Sequence, residues 1–169
     1  MDIETLRKML ASTLALNIKG SSVVSEILFR PSFINQGQTV FCQIRQRDDG
    51  MFICYEHFNK YEFYTLSYTK VSSSFNDNVF TDSFCGIIIV DKKSQAEIEE
   101  LICKISTFKS LKTDIGLDGY SHTVIINDCE YYWWYEPVSK NAILCDKLVS
   151  KVFTFLPEDF RKINIEQDV

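Results

Sequence analysis

Glycine and proline are scarce in this chain, six and three in 169 residues, which excludes a loop-dominated or low-complexity protein. Histidine is scarcer, with only His57 and His122. The six cysteines, at 42, 54, 85, 103, 129 and 145, stand alone. No CxxC pair occurs and their spacing matches no zinc or disulfide framework. They read as small core hydrophobes of a protein in a reducing cytosol. No apolar run approaches the roughly 20 residues that span a bilayer. The N-terminus "MDIETLRKMLASTLALNIKG" opens on acids and lacks the pattern of a signal peptide. The expectation is a cytoplasmic protein with no membrane partner.

A basic surplus is also missing. Lysine and arginine number 18 against 23 acids, a net charge of −5. Nucleic-acid binding draws most of its affinity from basic side chains on phosphates, so the balance argues against that partner and fits a basic protein better. The basic spots "RQR" (45–47) and "KSLK" (109–112) read as solvated surface; Asp48 and Asp49 follow the first directly.

Catalytic and cofactor signatures are lacking as well. There is no HExxH, GxGxxG or GxxxxGK[ST], and "FNDNVF" (75–80) has no glutamate at the twelfth position of a calcium loop. No metal or cofactor is expected. A cysteine–histidine pair could be drawn from Cys54 or Cys129 with His57 or His122, and Asp118 or Asp128 could orient a base. No nucleophile elbow surrounds any of them. The carboxylate pairs Asp114/Asp118 and Glu130/Glu136 adjoin turns and read first as solubilising charge.

What is present is a pattern of short elements. Ile3, Leu6, Leu10 and Leu14 fall at helical spacing over 3–16, with Asp2 as N-cap and Lys19–Gly20 as the stop. "SSVVSEILFRPSF" (21–33) reads as either a short strand or a helical turn. "TVFCQIRQR" alternates as a half-buried strand, "DDG" (48–50) turns the chain, and "MFICYEHF" returns. With "YEFYTLSYT" (61–69) these predict a three-stranded meander. A polar loop over 72–83 leads to "FCGIIIV", an apolar strand of the central type. "SQAE" (94–97) predicts a capping box on Ser94 and Glu97, opening a helix that buries Ile98, Leu101, Ile102, Ile105 and Phe108. After a loop at 112–120, "SHTVIIND" and "CEYYWWYE" form a hairpin around Asn127–Asp128. A last helix over about 139–156 stops at Pro157. The prediction is a single α+β domain over 1–169, a mostly antiparallel sheet with about three helices on it, and a polar tail at 158–169.

Five aromatic residues in succession, Tyr131 to Tyr135, raise one question. In a strand, Cys129, Tyr131, Trp133 and Tyr135 face one way while Tyr132 and Trp134 face the other. One set packs under a helix. The other is covered either by a second layer of the same domain, such as the N-terminal helix, or by another protein. Tyr and Trp ringed by acids make a natural interface.

The compact, acidic, aromatic-rich profile, with "LDGYSHTVIIND…YYWWYEP" followed by "AILCDKLVSKVFTFL" across 112–156, resembles small immunity proteins of bacterial polymorphic-toxin and contact-dependent inhibition systems. The resemblance implies a cytosolic α+β protein that neutralises a basic toxin domain by occluding its site. Asp114, Asp118, Glu130, Trp134 and Glu136 are the candidate contacts. The alternatives are an enzyme with a cysteine- or carboxylate-based site and a self-associating adaptor module.

Overall fold

The computed structural model describes residues 3–15, 17–31, 39–58, 84–109, 111–112, 120–134 and 136–157. The elements are α1 (Ile3–Leu14), β1 (Ser22–Pro31), β2 (Thr39–Arg47), β3 (Gly50–Phe58), β4 (Phe84–Ile89), α2 (Lys92–Ile105), β5 (Leu111–Lys112), β6 (Tyr120–Ile126), β7 (Cys129–Trp134) and α3 (Lys140–Phe153). One sheet joins the strands in the order β4-β3-β2-β1-β6-β7-β5. All neighbours are antiparallel except the two-residue β5, which runs parallel to β7. The α+β class expected from the sequence is the class found.

Alternation gives the sheet an inner and an outer face. Ile27, Phe29, Val40, Cys42, Ile44, Met51, Ile53, Val124, Ile126, Tyr131 and Trp133 point inward, where Ile98, Ile102 and Ile105 of α2 and Ala142, Cys145, Leu148, Val149 and Val152 of α3 complete the main core. Leu28, Phe41, Phe52 and Cys54 point outward and meet Leu6, Leu10 and Leu14 of α1. The helices are also tied by polar groups. The Tyr131 hydroxyl reaches the carbonyl oxygens of Ile105 and Phe108 (3.2 and 3.1 Å) at the end of α2, where backbone acceptors lack helical partners. Lys151 of α3 pairs with Glu97 of α2 at 2.6 Å.

The turns show why local sequence gives these elements. Asn127 and Asp128 take φ of 50° and 61°, the left-handed pair that a type I′ hairpin needs and that Asn and Asp tolerate best. At Gly86 an added Cβ would stand 2.6 Å from the Tyr55 hydroxyl oxygen and 2.7 Å from its ring. Only glycine lets that ring lie across β4.

Several sequence expectations are corrected. The capping box on Ser94 is displaced by one turn: Asp91 is the N-cap of α2, its carboxylate accepting from the Ser94 N–H at 3.0 Å, and Glu97 is spent on Lys151. Ser139 caps α3 by accepting from the Ala142 N–H at 3.1 Å. In the ambiguous 21–33 stretch, Ser22–Pro31 is the central strand of the sheet; a register shift between Val23 and Ser25 breaks its alternation. The place beside β3 assigned to 61–69 belongs to β4. β4 itself, expected at the centre, ends the sheet among the described residues, with Ile89 86% exposed. Asp2, 61–69, 72–83 and the tail at 158–169 lie outside the described residues.

Candidate protein-binding face

The inward half of the aromatic run is structural. Trp133 is 1% exposed and Tyr131 fully buried. His122 stacks on Trp133 (centroids 4.8 Å apart, planes at 17°) and also meets Phe29 and Tyr120, each at 5.2 Å. One row of paired residues crosses the sheet here: His57, Val40, Phe29, His122, Trp133. Both histidines are buried, at 3% and 5% exposure. Burial disfavours their charged form and lowers each to about 4.

The outward half lies on a mixed surface. Glu130, Tyr132 and Trp134 alternate along the outer side of β7 and are all half-buried; Glu136, just beyond the strand, is exposed. Glu130 and Trp134 thus share one face, about 13 Å apart along the strand, with Tyr132 between them. Ser121, Thr123 and Ile125 of β6 lie opposite Trp134, Tyr132 and Glu130. Burial raises the Tyr132 hydroxyl, opposed by its hydrogen bond with Ser121 and the nearby Arg30 charge. Asp114 and Asp118 lie outside the described residues. Tyr132, Ser121 and Arg30 were not among the candidates read from sequence; the parity of β7 points to Tyr132, but only the pairing of β1 with β6 brings Arg30 opposite Ser121.

The second layer anticipated over this side exists in part. α1 covers the outer face at Leu28, Phe41, Phe52 and Cys54, on β1 to β3, with Cys85 and Ile87 of β4 packed alongside. A polar chain anchors it. Arg7 donates from Nε to both Glu26 carboxylate oxygens (2.9 Å each) and from Nη2 to Oε2 as well. Gln43 donates to Glu26 Oε1 (2.8 Å), Arg45 to Gln43 Oε1 (2.7 Å) and to Ser21 Oγ (2.8 Å). Glu26 is only 3% exposed, so these donors are what make its charge tolerable at the sheet's centre.

Charge is divided unevenly. The described residues hold 14 basic and 13 acidic side chains, 14 − 13 = +1, and the rest of the chain holds 4 − 10 = −6. The described residues are close to neutral, and the acidic surplus of the sequence falls on the others. Asp114 and Asp118 are part of it.

The geometry bears on the catalytic alternative. Cys54 and His57 sit on opposite faces of β3, Cys54 against α1 and His57 in the inner row. Cys129 shares the inner face with His122 but pairs with Ile126, four pairs further along the hairpin than the His122–Trp133 pair. Burial pushes the Cys54 thiol up to about 11 and the Cys145 thiol up to about 12, and raises Cys42 further. These are inert core thiols. Asp128 stands in the turn at the far end of β6 from His122. Among the described residues no group of three His, Cys, Asp or Glu side chains could hold a metal ion, and no helix is long and apolar enough to cross a membrane. The fold and face define an α+β protein with a half-open aromatic and acidic strip. No family model, curated protein or solved structure matches the chain.

Proposed function

We propose that this chain is a non-enzymatic inhibitor of the immunity type, which binds a basic toxin domain in the cytosol and neutralises it by occluding its site. The observation that supports this reading best is the split of the aromatic run: Tyr131 and Trp133 are consumed by the core, while Tyr132 and Trp134 are left half-buried on the other side beside Glu130 and Glu136. Rigid amphipathic rings with a charged rim are the composition of an interface centre. Asp114, Asp118, Glu130, Trp134 and Glu136 are the proposed contacts, with Tyr132 between them. The rings supply affinity, and the acids speed the encounter with a basic partner. The separation of every described cysteine–histidine pair considered above favours binding over covalent catalysis.

The test is co-expression with the basic domain encoded by the adjoining reading frame. The expected result is a stable complex that co-purifies and a cell protected from that domain. A toxic basic domain that neither co-purifies with the chain nor is neutralised by it contradicts the reading.

A further inference from the structure

Natural sheets protect their edges with lysine, proline, bulges or very short strands, because an open edge presents free backbone donors and acceptors. β4 has none of these devices. It reads FCGIII, six residues without a charge or a proline, and among the described residues only β3 pairs with it. Its composition is that of a strand with a neighbour on each side.

The ladder fixes which groups are open. The Val90 N–H donates to the Met51 carbonyl at 3.0 Å, so 51 and 90 form a hydrogen-bonded pair. Such pairs alternate along antiparallel strands. Ile88 and Gly86, opposite Ile53 and Tyr55, therefore also bond to β3. The N–H and C=O groups of Cys85, Ile87 and Ile89 point away from it. Among the described side chains of the sheet, Ile89 is also the most exposed large apolar one, at 86%.

We infer that two copies of this chain join β4 to β4, antiparallel about a two-fold axis at Ile87, so that two sheets become one. In that register Ile87 meets Ile87 of the second copy and Ile89 meets its Cys85. Every outward N–H and C=O of the strand gains a partner, and the exposed Ile89 gains an apolar neighbour. The strand fits its own copy better than a charged partner because it carries no charge to select one, and because Cys85, Ile87 and Ile89 are self-complementary about their centre. This isologous pairing closes after two copies. A join of one strand each is smaller than a standard interface, so the association is expected to depend on concentration. The inference goes beyond the inhibitory role and does not rest on it.

Light scattering on the full chain, from about 5 to about 200 µM, decides the matter. The molar mass is expected to climb from 19.6 kDa toward 2 × 19.6 = 39.2 kDa. Ile89→Lys adds a charge at an exposed position and should hold the protein at the monomer mass with its melting temperature unchanged. Ile87→Pro removes an N–H that β3 does not use and should also hold the protein at the monomer mass, at some cost in melting temperature because Ile87 packs beside the α1 cluster. A wild-type chain that stays at 19.6 kDa throughout overturns the inference. So does an Ile89→Lys variant that associates as strongly as wild type.

Discussion

Trp133 and Trp134 are neighbours on one strand, yet the first is 1% exposed beneath α3 and the second half-buried beside Glu130 and Tyr132. The same contrast separates the two faces of the whole sheet. The inner face is covered by two helices and is apolar apart from a few buried groups such as His57, His122 and Ser25. Among the described residues the outer face has one helix, a partly buried arginine–glutamate–glutamine chain under it, and a mixed strip beyond it. A sheet must cover one face to be stable; what it does with the other is free to serve binding.

Substitutions at the two tryptophans test that contrast most strongly. Trp133→Ala should cost about 3–5 kcal/mol, the range for deleting a buried aromatic ring, and Trp134→Ala about 1 kcal/mol or less. Urea unfolding of the two variants measures both. Equal losses would mean that the outer strip is as structural as the core.

Acidity should separate the faces next. His122 on the inner face is lowered to about 4 from an ordinary 6.5, so the unfolded chain takes up its proton first. Its contribution to stability is present above pH 6.5 and is lost as pH falls toward 4, up to about 3 kcal/mol. Glu56 on the outer face behaves oppositely. It is 2% exposed, its Oε2 has no hydrogen-bond partner, and burial pushes it up to about 7. Its contribution is full below pH 4.5 and is lost as pH rises through 7. Denaturation midpoints across pH 4–9 should therefore rise in Glu56→Gln above pH 7 and in His122→Phe below pH 6. A Glu56→Gln variant no more stable than wild type at pH 8 would remove Glu56 from the account.

A smaller effect is expected where α1 meets the sheet. Arg7→Ala strands the Glu26 carboxylate with Gln43 as its remaining side-chain donor. Arg7 is partly exposed, so the cost should be about 2 kcal/mol, below that of a fully buried pair. Amide exchange in Ile3–Leu14 should quicken before exchange in the inner strands does. Uniform quickening would mean that α1 and the inner core open as one unit.

Much of this architecture was legible in local sequence. Asn127–Asp128 announced its hairpin because few other residues accept two successive positive φ values. The leucines of α1 and the stripe of α2 followed helical spacing. What escaped notice depends on distant residues. β1 is central although Glu26 and Arg30 interrupt it, because Arg7 and Gln43 neutralise and bond the glutamate from other elements. β4 reads as central and stands at the edge of the described sheet, since composition reports apolarity and not neighbours. Ser94 resembled a cap, but Asp91, three residues earlier, holds the Ser94 N–H. Of the candidate contacts, the period of two placed Glu130 and Trp134 on one face, and nothing local indicated that Tyr132 would reach toward Ser121 or that Arg30 would stand beside it.

The central claim is that the outer strip of β7 grips a basic protein, and stopped-flow association tests it most directly. The chain and its Glu130→Lys/Glu136→Lys double variant would be mixed with the basic domain from the adjoining reading frame across a range of ionic strengths. The account predicts an association rate at low salt at least about tenfold slower for the variant, converging with wild type at high salt, and an unchanged melting temperature. Identical rates at low salt would contradict it.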